Sequence, residues 1–471
     1  MNAWTVVTGA SGGLGREVAA QLSRSGSRVL WLIHPSDNVE DLPLGANDAC
    51  VALDLAHDQL ATSIRRLGDT YPDVSCLIHC AGSAYYAALT EITDSNALTT
   101  MRVNLFAPIL LTHVWGRSLE ARGGSLVVVS SVVAASRNPN YCLYSAAKAA
   151  LEHFAASLQA ESPTIAVTIV RPGAMRTAFH ARSGIPFPVR NALAPDVAAR
   201  PLVAAIGHRG VCYLRQWERV IPFAHRVRDV VELIPLPRRS RGTPGGPVVI
   251  TGASQGIGAA LQSEMSRDGL VTHGWARRPG QRTSVVDVRD WKNAPLDTVG
   301  LVLNAGVNHA GRFVDMPQDD IVEMLATNAE SVVMLSLRHL RLWRAEPQRW
   351  LLVVSSLAAQ LGYPGSATYG STKALVSRFT LALRTSTRMR VGVVWPGPVD
   401  TEQARRASPR RTSGVERLAP AMFAGTLWRP WRDGQDLIFG RASWRLAAIV
   451  ATLFPAVIMR VMRRAMLPHS R

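Results

Sequence analysis

Five short motifs occur twice in this chain of 471 residues, and in the same order each time. TVVTGASGGLG (Thr5–Gly15) returns as VVITGASQGIG (Val248–Gly258), and HCAG (His79–Gly82) returns as LNAG (Leu303–Gly306). VVVSS (Val127–Ser131) returns as LVVSS (Leu352–Ser356), and YSAAK (Tyr144–Lys148) as YGSTK (Tyr369–Lys373). RPGAMRT (Arg171–Thr177) returns as WPGPVDT (Trp395–Thr401). The offset is 243 at the glycine motif, 233 from Asp54 to Asp287, and 224 or 225 from the second motif onward. A constant order with a shrinking offset describes a tandem duplication whose second copy is shorter in two loops or helices. Whatever the first half folds into, the second half must fold into again.

The junction is Pro235–Pro247 (PLPRRSRGTPGGP), rich in Pro, Gly and Arg and without apolar periodicity. It divides the chain into a first domain at 1–236, a linker at 237–247 and a second domain at 248–471, with an amphipathic tail from about 426. Hydrophobic residues at 47% supply two cores and exclude disorder. Within a copy, short β-branched runs alternate with longer amphipathic stretches. Thr5–Thr8, Val29–Ile33, Leu77–His79, Leu126–Ser130 and Ala166–Val170 read as strands, and Leu14–Ser25 as a helix. This alternation predicts βαβ units and a parallel sheet covered on both faces, hence two doubly wound α/β domains of Rossmann type. Basic amphipathic helices are expected after each.

All five cysteines (Cys50, Cys76, Cys80, Cys142, Cys212) lie in the first copy, with no CxxC spacing. A disulfide scaffold and a zinc ribbon are excluded, no metal site is expected, and a reducing cytosol fits. No uncharged run reaches the roughly 20 residues of a membrane span, and no signal-like segment opens the chain. The expected location is cytoplasmic, with a peripheral place on the inner membrane face as the variant reading.

Gly9, Gly13 and Gly15 close the first strand and open the first helix; Gly252, Gly256 and Gly258 do the same in the second copy. Such a turn lets backbone approach a pyrophosphate seated at a helix N-terminus. With this spacing, the CAG/NAG strand, the serine, YxxxK and PGxxxT in order, both copies resemble the short-chain dehydrogenase/reductase family. The resemblance covers nearly all of each copy except its last 60–70 residues. It implies the tetrads Asn104–Ser131–Tyr144–Lys148 and Asn328–Ser356–Tyr369–Lys373. In these the serine orients a carbonyl, the tyrosine exchanges its proton, the lysine holds the nicotinamide ribose and the asparagine holds a water. It also implies a dinucleotide site over Gly9, Ser11, Gly13, Leu14, Gly15, His34, Asp54, Ala81, Gly82, Pro172, Gly173 and Thr177. The second site would be Gly252, Ser254, Gly256, Ile257, Gly258, Arg277, Arg278, Asp287, Asn304, Ala305, Gly306, Pro396, Gly397 and Thr401.

The residue types fit that chemistry. A phenol with an ordinary pKa near 10 is a poor acid at neutral pH, and a nearby ammonium is expected to lower it. Only three of the 52 basic residues are lysine (Lys148, Lys292, Lys373), and two of these close the YxxxK motifs. Arginine could not stand in, since its planar fork does not mimic a compact ammonium. Lys292 has no motif and reads as solvated surface.

Arg277 follows the second strand of its copy with no carboxylate beside it, which predicts NADPH there; the general arginine bias is the rival reading of Arg277 and Arg278. In the first copy His34 takes that position and Asp37 comes late for a ribose ligand, so either NAD or NADP remains open. Cys80 replaces the asparagine that Asn304 keeps, which predicts a looser first copy.

Charge concentrates after PGxxxT. Residues 178–246 carry 11 Arg against 4 acidic residues, and residues 402–471 carry 13 against 4. A basic cap implies an anionic partner: a phosphopantetheine or CoA thioester, an acidic carrier protein or anionic lipid. Leu446–Met459 is uncharged for 14 residues before Arg460, Arg463 and Arg464, and Val220–Leu236 is a weaker version. An interfacial helix is one reading and packing on the protein the other. Nucleic acid is not expected, because no recognition motif accompanies the charge. The expected activity is NAD(P)H-dependent reduction of a ketone on a lipophilic or carrier-tethered, 3-oxoacyl-like small molecule, with an intramolecular pseudo-dimer. Two rival readings are opposed oxidation and reduction giving epimerisation, and one copy serving as a structural pseudo-enzyme.

Overall fold

The computed structural model describes residues 3–136, 138–185, 192–215, 218, 220–233, 245–279, 283–343, 348–360, 362, 364–407, 416–455, 457–458 and 461. Most of the expected linker, residues 237–244, lies outside the described residues. Two compact units form: one takes in the chain to His225 together with Arg312–Gln318, the other Arg226–Gly311 with Asp319–Ala465.

The first unit holds strands β1 (Trp4–Thr8), β2 (Val29–Ile33), β3 (Ala49–Ala52), β4 (Val74–His79), β5 (Ser125–Val129), β6 (Ala166–Arg171) and β7 (Gly210–Tyr213). They pair in parallel in the order β3-β2-β1-β4-β5-β6-β7. The helices are α1 (Gly13–Arg24), α2 (Leu60–Thr70), α3 (Asp94–Met101), α4 (Ala107–Arg122), α5 (Cys142–Glu161), α6 (Ala178–Arg182) and α7 (Pro195–Ala204), followed by α8 (Val220–Leu233). Side chains alternate across the sheet. Val7, Trp31, Ile33, Ile78 and Val127 cluster with Val18 and Leu22 of α1 and Ala198 and Leu202 of α7. The intervening Val6, Leu30, Leu77, Leu126 and Val128 are equally buried, as α4 and α5 pack along β4 and β6. Burial on both faces is why β5 reads as unbroken apolar sequence.

The second unit repeats the plan. Strands β8 (Val248–Thr251), β9 (Thr272–Ala276), β10 (Thr283–Val285), β11 (Gly300–Leu303), β12 (Trp350–Val354), β13 (Arg390–Trp395) and β14 (Leu437–Phe439) pair in the order β10-β9-β8-β11-β12-β13-β14. Its helices are α9 (Gly256–Arg267), α10 (Gln318–Leu325), α11 (Ser331–Trp343), α12 (Ala367–Ser386), α13 (Glu402–Ala407), α14 (Pro420–Arg432) and α15 (Ala442–Leu453). In both sheets the order reverses beside the first strand, between β1 and β4 and between β8 and β11, which opens a crevice at the strands' carboxyl ends. The glycine turns, the serines and the PGxxxT segments all follow such ends.

Arg312–Gln318 completes the first unit by packing on α4 and α5. The Phe313 ring stands edge-on to Phe154 and His113 at 4.9 and 5.5 Å. Its N–H donates to the buried Glu161 carboxylate, and Arg312 Nη2 meets both Glu120 oxygens at 2.8 and 2.7 Å. No helix among the described residues is long and apolar enough to cross a membrane.

Candidate active site

The two glycine turns are built alike. Gly9 and Gly13 have φ of 64° and 49°, and Gly252 and Gly256 have 68° and 62°, values that side chains disfavour. Space excludes side chains too: a Cβ on Gly9 would lie 2.8 Å from Ala81 Cα, and one on Gly252 2.8 Å from Ala305 Cα. A Cβ on Gly15 would stand 2.2 Å from the Gly9 carbonyl oxygen, and one on Gly258 2.3 Å from that of Gly252. Leu14 and Ile257 follow in the first turns of α1 and α9. Thr8 Oγ1 accepts the N–H of Ala81 at 3.1 Å, and Thr251 Oγ1 those of Asn304 and Ala305, each at 2.9 Å. Each turn therefore presents bare backbone at a helix N-terminus, the cradle a pyrophosphate requires. Thr177 and Thr401 close it from the other side, lying 2.8 and 3.2 Å from where a Cβ on Gly13 and Gly256 would stand.

Gly82 and Gly306 join cradle to tetrad. A Cβ on Gly82 would meet Asn104 Oδ1 at 3.4 Å and Lys148 Nζ at 3.8 Å; on Gly306 the distances to Asn328 Oδ1 and Lys373 Nζ are 3.1 and 3.4 Å. Both asparagines are fully buried and sit in single π-helical turns, Arg102–Phe106 and Ala326–Glu330, a device that recurs where a helix must aim one side chain. Asn104 Nδ2 donates to the carbonyls of Ser83 and Thr100 at 2.5 and 2.7 Å, while its Oδ1 has no partner. Asn328 uses both ends on the backbone of Val307, each at 2.8 Å.

Ser131 and Ser356 cap the short turns that follow β5 and β12, accepting the N–H of Val133 at 3.3 Å and of Ala358 at 3.1 Å. Tyr144 and Lys148, and Tyr369 and Lys373, share a face of α5 and α12, with each Nζ 5.8 or 5.9 Å from its tyrosine ring centre. Lys148 Nζ donates to the Val129 carbonyl at 2.9 Å and Lys373 Nζ to that of Val354 at 3.3 Å. Burial lowers both ammonium groups to about 8. The Tyr144 phenol is pushed up from its ordinary value, first by burial and next by Tyr141, while a hydrogen bond with Ser131 pulls it down. In the protein alone, burial thus sets this phenol above its ordinary value, against the expectation that the ammonium acidifies it.

The ribose ends of the two clefts differ. Asp37, set aside from sequence as too late, folds back through a turn in which its N–H bonds the His34 carbonyl at 2.9 Å. Its Oδ2 accepts from Ser11 Oγ at 2.5 Å and from the His34 N–H at 3.0 Å. His34 itself reaches Asp54 at 3.9 Å and Ser36 at 2.7 Å. In the second unit the sequence expectation of no carboxylate beside Arg277 is corrected: Glu323, 46 residues on, reaches it, with Arg277 Nη1 donating to Glu323 Oε1 at 2.5 Å and His309 Nε2 2.8 Å from the other oxygen. Arg278 is exposed beside it and Ser254 lies exposed in the glycine turn. Asp287 is engaged by Arg289 through two hydrogen bonds at 3.0 Å and one at 2.5 Å, which hold its carboxyl below the usual range.

Asn304 Nδ2 donates to the carbonyls of Thr251 and Gly252 at 3.0 and 3.3 Å, tying β8 to its turn. Cys80 offers only a weak thiol donor in that place, and desolvation raises the thiol to about 12. Pro172 and Pro396 accept the N–H of Val132 and Leu357 at 3.1 and 2.8 Å, locking PGxxxT to the serine turns. Gly173 is covered by Glu218, which accepts its N–H at 3.1 Å, and Gly397 by the Trp444 indole. Two aromatics escaped the sequence reading: Tyr141 and Phe179 stand 4.9 and 5.7 Å from the Tyr144 ring and form an apolar wall with Ala84 and Ile185. Their spacing, three before Tyr144 and two after Thr177, was the available signal. At the matching second-copy positions stand Ser366 and Gln403.

Both clefts fit a dinucleotide: four left-handed glycines bare the backbone, and a buried acceptor, Asn104 Oδ1, waits unpartnered beside Lys148. The chain is 30% identical over 184 residues to carbonyl reductase family member 4 of Danio rerio, covering 38% of this chain and 77% of that one. It is 28% identical over 178 residues to a 3-oxoacyl-[acyl-carrier-protein] reductase of Haemophilus influenzae, covering 36% and 74%. A short-chain dehydrogenase structure from Streptomyces avermitilis is 25% identical with a TM-score of 0.43, over 49% of this chain and 94% of that one. The family model for short chain dehydrogenases matches residues 3–184 and 282–412. The second match starts past Gly252–Gly258, yet β8, its turn and α9 repeat the first copy's geometry. Twice over in one polypeptide, this chain belongs to the short chain dehydrogenase family and is an NAD(P)-dependent oxidoreductase.

Proposed function

We propose that each unit reduces a ketone to an alcohol, and that the convergence of serine, tyrosine and buried lysine beneath a glycine cradle, found twice, carries this reading. A bound nicotinamide dinucleotide supplies the hydride. The cradle residues Gly9–Gly15 and Gly252–Gly258 hold its pyrophosphate, and Thr177 and Thr401 close over it. Ser131 or Ser356 holds the carbonyl oxygen, and Tyr144 or Tyr369 gives that oxygen its proton as the carbon is reduced. Asn104 Oδ1 accepts a water through which the proton is replaced.

The first unit's wall of Tyr141 and Phe179 favours a lipophilic ketone. The basic segments after PGxxxT, and a relative that reduces 3-oxoacyl carrier thioesters by name, favour a substrate carried on an anionic handle. With Ser366 and Gln403 in place of the aromatics, the second unit suits a more polar carbonyl compound, so two successive reductions on different substrates fit better than one repeated step. The test is a screen of 3-oxoacyl thioesters and aliphatic ketones with Tyr144→Phe, Tyr369→Phe and the double variant, read by dinucleotide absorbance. Each single variant should lose one set of substrates by about a hundredfold or more. A single variant that leaves every activity intact would make its unit structural.

A second reading rests on the ribose ends. Asp37, bonded to Ser11 and His34 beside the first glycine turn, favours NAD in the first unit; Arg278 and Arg277, once freed from Glu323, suit NADP in the second. With different dinucleotides the two units can run in opposite directions, one oxidising an alcohol and the other reducing a ketone.

A further inference from the structure

We propose that α15 and the turn after it dock the chain on an anionic lipid bilayer. The inference starts from a helix whose polarity is inverted. Its protein side holds Trp444, Ala448 and Ala451, which are 8%, 0% and 3% exposed. The Trp444 indole fills space beside Gly397 and Gly440 that no Cβ could share, and it packs on the Phe423 ring at 6.1 Å. The helix is thus anchored by one large ring and two small residues. Its bulky apolar residues point the other way, Leu446 being 62% and Leu453 39% exposed, and past its end Phe454 is 56%, Val457 55% and Val461 54% exposed. Within α15, Leu446 and Leu453 lie seven residues apart on one stripe, with Ile449 and Val450 half-buried alongside; the helix ends at Leu453, and Phe454, Val457 and Val461 extend the exposed apolar surface past its end. A surface helix of a water-soluble domain shows the opposite pattern, apolar stripe inward and polar residues outward. An outward stripe of this kind marks an interaction surface.

Charge selects the occupant. Leu446–Met459 contains no charged residue, and from Leu437 to Arg471 there are six arginines and no Asp or Glu. Arg460, Arg463 and Arg464 follow the stripe in sequence, Arg460 and the other two lying outside the described residues. Apolar residues for the acyl boundary, followed in sequence by three arginines with no acidic residue nearby in the chain, are what a bilayer with anionic lipid binds. An acidic protein would pair the cations and leave the aliphatics in water. The 12 residues of α15 span about 18 Å as helix, too short to cross a hydrocarbon core of roughly 30 Å. Pro455 interrupts the run, but the helical sense resumes as Val457 and Ile458 donate to the Phe454 carbonyl at 3.1 Å. The element therefore lies along the surface instead of crossing it.

The test is sedimentation of the full chain with phosphatidylcholine vesicles, with and without phosphatidylglycerol. The chain should pellet with the mixed vesicles, partition at least about tenfold less onto phosphatidylcholine alone, and be released by salt. Leu446→Gln with Phe454→Gln should lower partition about tenfold or more, while Val271→Gln, an equally exposed aliphatic elsewhere, should change nothing. Thermal melting should show all three folded. Replacing Arg460, Arg463 and Arg464 by Gln, which leaves the sequence of α15 intact, should weaken binding as well. No binding to the mixed vesicles overturns the proposal. So does binding that Leu446→Gln with Phe454→Gln leaves unchanged, or a loss of self-association in that variant, measured by light scattering without lipid, with no loss of vesicle binding.

Discussion

Lys148 and Lys373 are the residues on which both clefts turn. Each ammonium is buried and donates to a backbone carbonyl, and burial lowers each to about 8. The ammonium form attracts an anionic dinucleotide; the amine does not. The sign follows: affinity is full where both lysines are protonated, below about pH 7, and falls as pH rises through about 8, by at most tenfold per pH unit. Fluorescence titration of a reduced dinucleotide between about pH 6.5 and 9.5 should show this slope. In Lys148→Met with Lys373→Met the slope should vanish and affinity should be weak throughout. An unaltered chain whose affinity is flat across that range would contradict the assignment. In a chain where 49 other basic positions are arginine, the lysines were legible at once. The Tyr144 shift was not, because it depends on how completely Tyr141, Phe179 and Ala84 exclude water, a property of packing between distant segments.

At the scale of elements, the two units hold α5, β6 and β7, or α12, β13 and β14, together by different chemistry at matched positions. In the first, Arg171 of β6 makes a two-armed ion pair with Glu152 of α5 at 2.7 and 2.6 Å and donates to the Tyr213 hydroxyl of β7 at 2.6 Å. Ser130 adds a hydrogen bond to Glu152 at 2.6 Å. In the second, Trp395 donates to Ser377 at 3.0 Å and stacks on Phe439 at 4.9 Å, while Ser355 meets Ser377 at 2.6 Å. A charged triad has been exchanged for an uncharged one. Breaking one partner of a buried pair leaves an uncompensated charge, whereas replacing the whole set by apolar residues is often neutral. Glu152→Gln should therefore destabilise the first unit by about 3–5 kcal/mol. Glu152→Ser with Arg171→Trp and Tyr213→Phe should recover most of it. Amide exchange of β5 and β6 reads this without the second unit's contribution; equal loss in the single and triple variants would refute the exchange argument. The strands themselves were legible because apolar runs and glycine punctuation are local signals. This triad was not, since its members lie 19 and 42 residues apart, and neither was Asp37, whose turn back to Ser11 hides in a loop that sequence spacing treats as extended.

Across the whole molecule, the question is whether duplication produced two equal sites or two unequal ones. The frameworks are equal: strand order, glycine conformations and the residue types of the tetrads match between units. Besides the substrate wall, what differs is charge at the ribose ends: a carboxylate bonded to Ser11 in one, and in the other Arg277, paired with the Glu323 carboxylate, beside Arg278. A ligand that binds only the native state stabilises it by mass action, about 2.7 kcal/mol at a hundred times its dissociation constant. Global amide exchange in the sheet that binds it then slows about a hundredfold. Because the two sheets are separate sets of peptides, one exchange experiment reads both sites at once. NADH should slow exchange in β1, β4 and β5 and leave β8, β11 and β12 nearly unchanged, and NADPH should do the reverse. Asp37→Ser removes the carboxylate while keeping the turn short and polar, so in that variant NADPH should protect the first sheet as well. Protection of both sheets by NADPH in the unaltered chain would show that Asp37 swings clear of the ribose and that the two sites share one dinucleotide. Opposed reactions would then lose their physical basis, leaving two reductions in the same direction.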